Sequence, residues 1–93
     1  MREKQVEQAL VRAVHRMGGI AAKFVSPGWA GAPDRLVLLP GGRMAFAELK
    51  APGENPRPLQ VRRKRQLEAL GFSVYVIDHP DQIGEMLDEV RSS

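Results

Sequence analysis

Three side chains between Gly31 and Lys50, in the stretch GAPDRLVLLPGGRMAFAELK, are of types that do chemistry together. Asp34 opens one apolar run, and Glu48 and Lys50 close the next. Two carboxylates offer hard oxygen ligands to Mg²⁺ or Mn²⁺, which prefer carboxylate, carbonyl and water oxygens. An ammonium beside them can hold a water or a phosphate oxygen. The chemistry such a trio suits is metal-assisted attack of water on a phosphodiester. An isolated E-x-K is commonplace and is most often an ion pair at a strand end, so the case depends on whether Asp34 faces Glu48.

The elements that carry these residues decide that. LVLLP and RMAFA read as two strands joined by a turn at Pro40-Gly41-Gly42. A two-residue loop at Gly41-Gly42 would pair Leu39 with Met44 and set Asp34 and Glu48 on opposite faces. A three-residue loop pairs Leu39 with Arg43 and puts Asp34 across from Glu48. The three-residue loop also fits the turn chemistry, with Pro early and Gly last. Lys50, two residues past Glu48, then projects from the same face. The three groups converge within roughly 5–7 Å.

Upstream, Val6, Leu10, Ala13, Val14 and Met17 recur at helical spacing, and Gly18-Gly19 stops the helix. Glu7 lies at the margin of that apolar stripe, either as a solvated helix acid or reaching over a sheet edge. Ile20 to Val25 reads as a strand. Its Lys23 is either solvated or turned toward a phosphate. Trp29, between glycines, either anchors its loop or stacks on nucleic acid. Gly31 and Pro33 stiffen the backbone just before Asp34.

Downstream, a proline-rich loop from Ala51 to Pro58 leads into a helix from about Leu59 to Leu70, with Leu59, Leu67 and Leu70 marking its buried face and Gly71 its stop. Arg62, Arg63, Lys64 and Arg65 fan around that helix. Gln60 and Arg63 fall near the apolar side, where they can meet a scissile phosphate. Arg57, Arg62 and Lys64 are either a soluble surface or contacts that track a phosphate backbone. Phe72 to Ile77 reads as a strand. Asp78-His79-Pro80-Asp81 then turns into a last helix with an apolar side of Ile83, Met86, Leu87 and Val90. His79 is expected to be a capping or surface residue there, and Asp78 to belong to the turn.

At Pro33-Asp34 and Glu48-Leu49-Lys50 the chain resembles the PD-(D/E)XK nuclease superfamily. With Gly31-Ala32 before Pro33, and Pro58-Leu59-Gln60 later, it is similar to the VRR-NUC branch, the virus-type replication-repair nucleases, over nearly its whole length. The resemblance implies an α/β fold with a restriction-endonuclease-like αβββαβ core, a small mixed sheet flanked by helices, here with an extra C-terminal helix. It implies metal ligation by Asp34, Glu48, the main-chain carbonyl of Leu49 and a first-helix acid, for which Glu7 matches better than Glu3. It also implies a catalytic Lys50, a substrate-orienting Gln60, and cleavage of branched DNA by a homodimer of the stand-alone bacterial or phage kind. Two symmetric cuts need two sites related by a two-fold axis.

Composition is compatible with this. Ninety-three residues, 43% hydrophobic and 27% charged, suit one domain spanning 1–93. There is no cysteine, so any metal is held by oxygen or histidine. No apolar run approaches membrane-spanning length and the N-terminus lacks a signal-peptide pattern, which leads to an expectation of a cytoplasmic protein. A net charge of +3 and a pI near 9.8 favour acidic partners without naming one. Two rivals remain at this stage: a non-catalytic nucleic-acid-binding module, or the same chemistry applied to flaps or linear duplex.

Overall fold

The computed structural model describes residues 1–93. Helix α1 (Glu3–Arg16) precedes strands β1 (Ile20–Lys23), β2 (Arg35–Leu39) and β3 (Arg43–Leu49). Helix α2 (Pro58–Ala69), strand β4 (Val74–Ile77), a 3₁₀ turn (Pro80–Gln82) and helix α3 (Ile83–Ser92) complete the chain. The sheet order is β1-β2-β3-β4. The first three strands are antiparallel, and β4 joins β3 in parallel after the α2 crossover, as a strand returning through a helix does.

The β2–β3 hairpin has the three-residue loop. Leu39 pairs with Arg43, and the ladder runs on to Arg35 opposite Ala47. Gly41 and Gly42 both take positive φ, 85° and 74°, where the turn chemistry required only the last residue to do so. Both can adopt it without a Cβ penalty.

Alternation along the strands gives the sheet two unlike faces. Val37, Leu39, Ala45, Ala47 and Leu49 point to one face, where Val6, Leu10 and Val14 of α1 and Ile83, Met86, Leu87 and Val90 of α3 cover them in a cluster of thirteen buried residues. Burying a side chain such as Leu10, wholly inaccessible here, stabilises by about 1.5–3 kcal/mol. The end of α1 must come close to β2. A Cβ on Gly19 would lie 2.4 Å from the Leu38 carbonyl oxygen, so that approach requires glycine.

The second face is thinly covered. Phe46, Leu67 and Val74 are its only buried cluster, with Phe24, Trp29, Leu36 and Met44 packed around them. Of the leucines expected to bury α2, only Leu67 does so. Leu59 is 39% and Leu70 74% exposed. Leu59 instead fills the space beside Gly31, where a Cβ would come within 2.8 Å of its side chain. Helix α2 therefore rests on the sheet through Leu67 in its last turn and on the loop before β2 by its first turn. The capping expected at His79 is present, its Nδ1 accepting the Asp81 N–H at 3.1 Å. Asp78 takes its turn role by donating its N–H to Gln82 Oε1 at 2.9 Å, while its carboxylate accepts the Gly53 N–H of the proline-rich loop at 3.3 Å.

Candidate active site

The site is built at the end of the sheet away from the hairpin. β2 begins at Arg35, and Asp34, one residue earlier, leaves the regular ladder by donating its N–H to the Ala47 carbonyl at 3.0 Å. Its Oδ2 accepts the Leu49 N–H at 2.8 Å. That bond fixes the aspartate against the backbone of the E-x-K segment itself.

Glu48 sits on the central strand β3, beside the Asp34 carboxyl on one side and paired in register with Val76 of β4 on the other. It is 3% exposed, and its Oε1 is a fully buried polar atom with no hydrogen-bond partner. Burial in these apolar surroundings is the first cause that raises its pKa from 4.5 to about 8. The hydrogen bond to Asp34 and the Asp34 charge raise it further, Lys50 opposes them, and Glu3 adds a small increase. Metal-free Glu48 is thus protonated at neutral pH. Lys50 is buried to 8% exposure, and its N–H is bonded to the Ile77 carbonyl at 2.9 Å.

A divalent cation fits this arrangement. Two carboxylates forced together in a low-dielectric site, one with an orphaned oxygen, are stabilised by a positive charge between them. Nowhere do three or more His, Asp or Glu side chains gather, so the side-chain donors are Asp34 and Glu48. The Leu49 carbonyl is the main-chain oxygen between Glu48 and Lys50, and water completes a shell of the kind Mg²⁺ keeps.

The helix acid expected here was Glu7, which in this structure is ion-paired to Arg35. Glu7 Oε2 accepts from Arg35 Nε at 3.1 Å, on the sheet face that packs against α1. The acid whose charge reaches Glu48 is Glu3, one turn nearer the helix start.

The other nominated residues divide. Gln60 accepts the Arg57 N–H at 2.8 Å and so closes the first turn of α2, leaving only its amide NH₂ to donate elsewhere. Arg63 is engaged within the fold: its Nε donates to the Ala30 carbonyl at 2.8 Å, Nη1 donates to Gln66, and the guanidinium lies 5.0 Å from the Trp29 ring centroid. Trp29 and Arg63 are therefore each other's partners, and together they pin the loop that delivers Asp34. Lys64 is paired with Glu68 at 3.1 Å. Arg57, Arg62 and Lys23 are exposed and enter no ion pair.

No family model matches the sequence. The chain is 54% identical over 81 residues, 87% of each chain, to "Putative nuclease p44" of Acyrthosiphon pisum secondary endosymbiont phage 1. Its fold superposes on a solved VRR-NUC domain with a TM-score of 0.86 and 30% identity, covering 92% of this chain and 94% of that one. A mixed four-stranded sheet with Asp34 and Glu-Leu-Lys at one end, a nuclease relative at this identity and that structural match agree: the chain belongs to the VRR-NUC family of nucleases.

Proposed function

We propose that the protein is a Mg²⁺- or Mn²⁺-dependent endodeoxyribonuclease that cuts branched DNA such as four-way junctions. The observation that carries the reading is the buried Glu48 with its unpartnered oxygen, beside the half-buried Asp34 and with the buried Lys50 alongside. Asp34 and Glu48 are the carboxylates that would hold the cation, with the Leu49 carbonyl. Bound there, a divalent cation supplies Lewis-acid charge for a phosphodiester and makes water more acidic.

The residues of this chain do the rest. Glu48 gives up its proton to become a ligand, so cation binding is coupled to proton release. Lys50, on the same face, orients the attacking water and stabilises negative charge gathering on the phosphate. The Gln60 amide and the exposed Arg57 and Arg62 orient the strand through its phosphates. Glu3 adds negative charge at the cation side. The cytoplasm is the compartment this reading requires, and no helix is long and apolar enough to cross a membrane. A homodimer supplies paired cuts. Its contact would cover the exposed pair Ile20 and Leu38, matched across β1 and β2 toward the hairpin end.

The test is incubation of the pure protein with four-way junction, flap and linear duplex DNA, with Mg²⁺, Mn²⁺ or EDTA. Junction cleavage with metal, absent in Asp34→Ala and Lys50→Ala, is the expected result. Metal-independent, salt-sensitive binding without cleavage would instead identify a binding module, and preferential cutting of flaps or ends would keep the chemistry and change the substrate.

A further inference from the structure

Unpaired basic side chains gather on two surfaces, one on each side of the sheet, and the sequence alone drew attention chiefly to the one on α2. On α2, Arg57, Arg62 and Arg65 are exposed and free of acidic partners. The second surface is on α1. Lys4, Gln8 and Arg12 recur every four residues and so form a stripe along the helix. They line a groove of about 430 Å³ closed by Glu7, Val11 and Arg35. Lys4 and Arg12 are exposed and enter none of the ion pairs in the molecule.

The one acid in the groove is already committed. Glu7 neutralises Arg35 at 3.1 Å, so the charge of Lys4 and Arg12 is uncompensated and faces solvent. Lys23, exposed at the end of β1, pairs in register with Arg35 and adds a third free cation at the same corner. Glu3, whose charge acts on Glu48, directly precedes Lys4. The groove therefore starts at the carboxylate end of the sheet and runs away from it along α1.

We infer that this α1 groove is a second phosphate-backbone site, which holds one duplex arm of a branched DNA while α2 holds another, the branch point lying over Asp34 and Glu48. This rests on the nuclease reading and deepens it. A straight duplex laid along α2 stays on one side of the sheet and leaves α1 untouched; a junction has arms that leave in different directions and engages both. The groove is thus a specificity device for branched substrate.

The experiment measures equilibrium binding of the full-length protein to a four-way junction and to a linear duplex of the same arm sequence, in EDTA and over a series of salt concentrations. Wild type is compared with Lys4→Gln/Arg12→Gln and with Arg62→Gln/Arg65→Gln. All four positions are exposed, and glutamine suits a helix. The α1 variant is expected to lose about tenfold in junction affinity and to lower the salt slope for the junction by about 2, leaving duplex binding within about twofold. The α2 variant weakens both. Unchanged junction binding by the α1 variant, or an equal loss on junction and duplex, overturns the proposal. Cleavage of junctions by wild type with Mg²⁺ is scored separately, so a failed groove and a failed nuclease reading give different results.

Discussion

The two faces of the sheet are built to opposite specifications. The α1/α3 face carries thirteen buried apolar residues in one cluster, while the α2 face carries three, and beyond them the strands present Asp34, Glu48 and Lys50. The two faces belong to the same strands, so the well-packed one fixes the positions of residues on the other. A sheet anchored from one side can hold a pair of mutually repelling carboxylates on its other side. The thin face trades stability for chemistry.

The largest effect that would sharpen this contrast is on turnover. Asp34→Ala or Lys50→Ala is expected to reduce cleavage at least ~10⁴-fold, the scale of losing one member of a catalytic unit, with the fold retained; Asp34→Ala also leaves the Leu49 N–H unpaired, at a cost of about 1–3 kcal/mol. A variant that loses activity only by unfolding would break the division between the faces.

Next comes the pH dependence of metal-free stability. Folded Glu48 titrates near 8 against 4.5 for the ordinary carboxyl. Between those values the folded state binds more protons than the unfolded state, so stability is full below about 4.5 and declines as pH rises through 8. The total change is at most about 5 kcal/mol. Denaturant titrations of wild type and Glu48→Gln across this range should show the decline in wild type and a flatter profile in the variant. Mg²⁺ at pH 8 should restore wild type. Equal slopes in both proteins would remove Glu48 as the source.

Packing comes third. Leu10→Ala, on the thick face, should cost about 3–4 kcal/mol in chemical denaturation. Leu67→Ala, on the thin face, should cost about 2 kcal/mol. Equal costs would mean that the two faces contribute alike.

Smallest is the loop lock. Arg63→Ala frees Ala30 and Trp29 and should lower turnover about tenfold without altering the salt slope of DNA binding, together with a change in Trp29 fluorescence. A slope lowered by about 1 would show Arg63 to be a phosphate contact after all.

Much of the site was legible in the sequence because local rules governed it. The spacing of Pro40-Gly41-Gly42 set the loop length, loop length set the register, and register together with two-residue alternation put Asp34, Glu48 and Lys50 on one face. The helix stops at Gly18 and Gly71, and the cap at His79, are local in the same way. The rotation and reach of each helix are not. A wheel places Glu7 and Arg63 at the edge of an apolar stripe, but which acid meets Glu48, and whether Arg63 meets a phosphate or a carbonyl, depends on how far the helix extends over the sheet and what packs beside it. Packing set those distances: Glu7 went to Arg35, Glu3 is the helix acid whose charge acts on Glu48, and Arg63 went to Ala30 and Trp29. The sequence by itself therefore determined the chemistry of the strand pair. Only the tertiary structure decided which helix residues serve it, because a strand's partners are fixed by hydrogen-bond register and a helix's by the docking of side chains far apart in the chain.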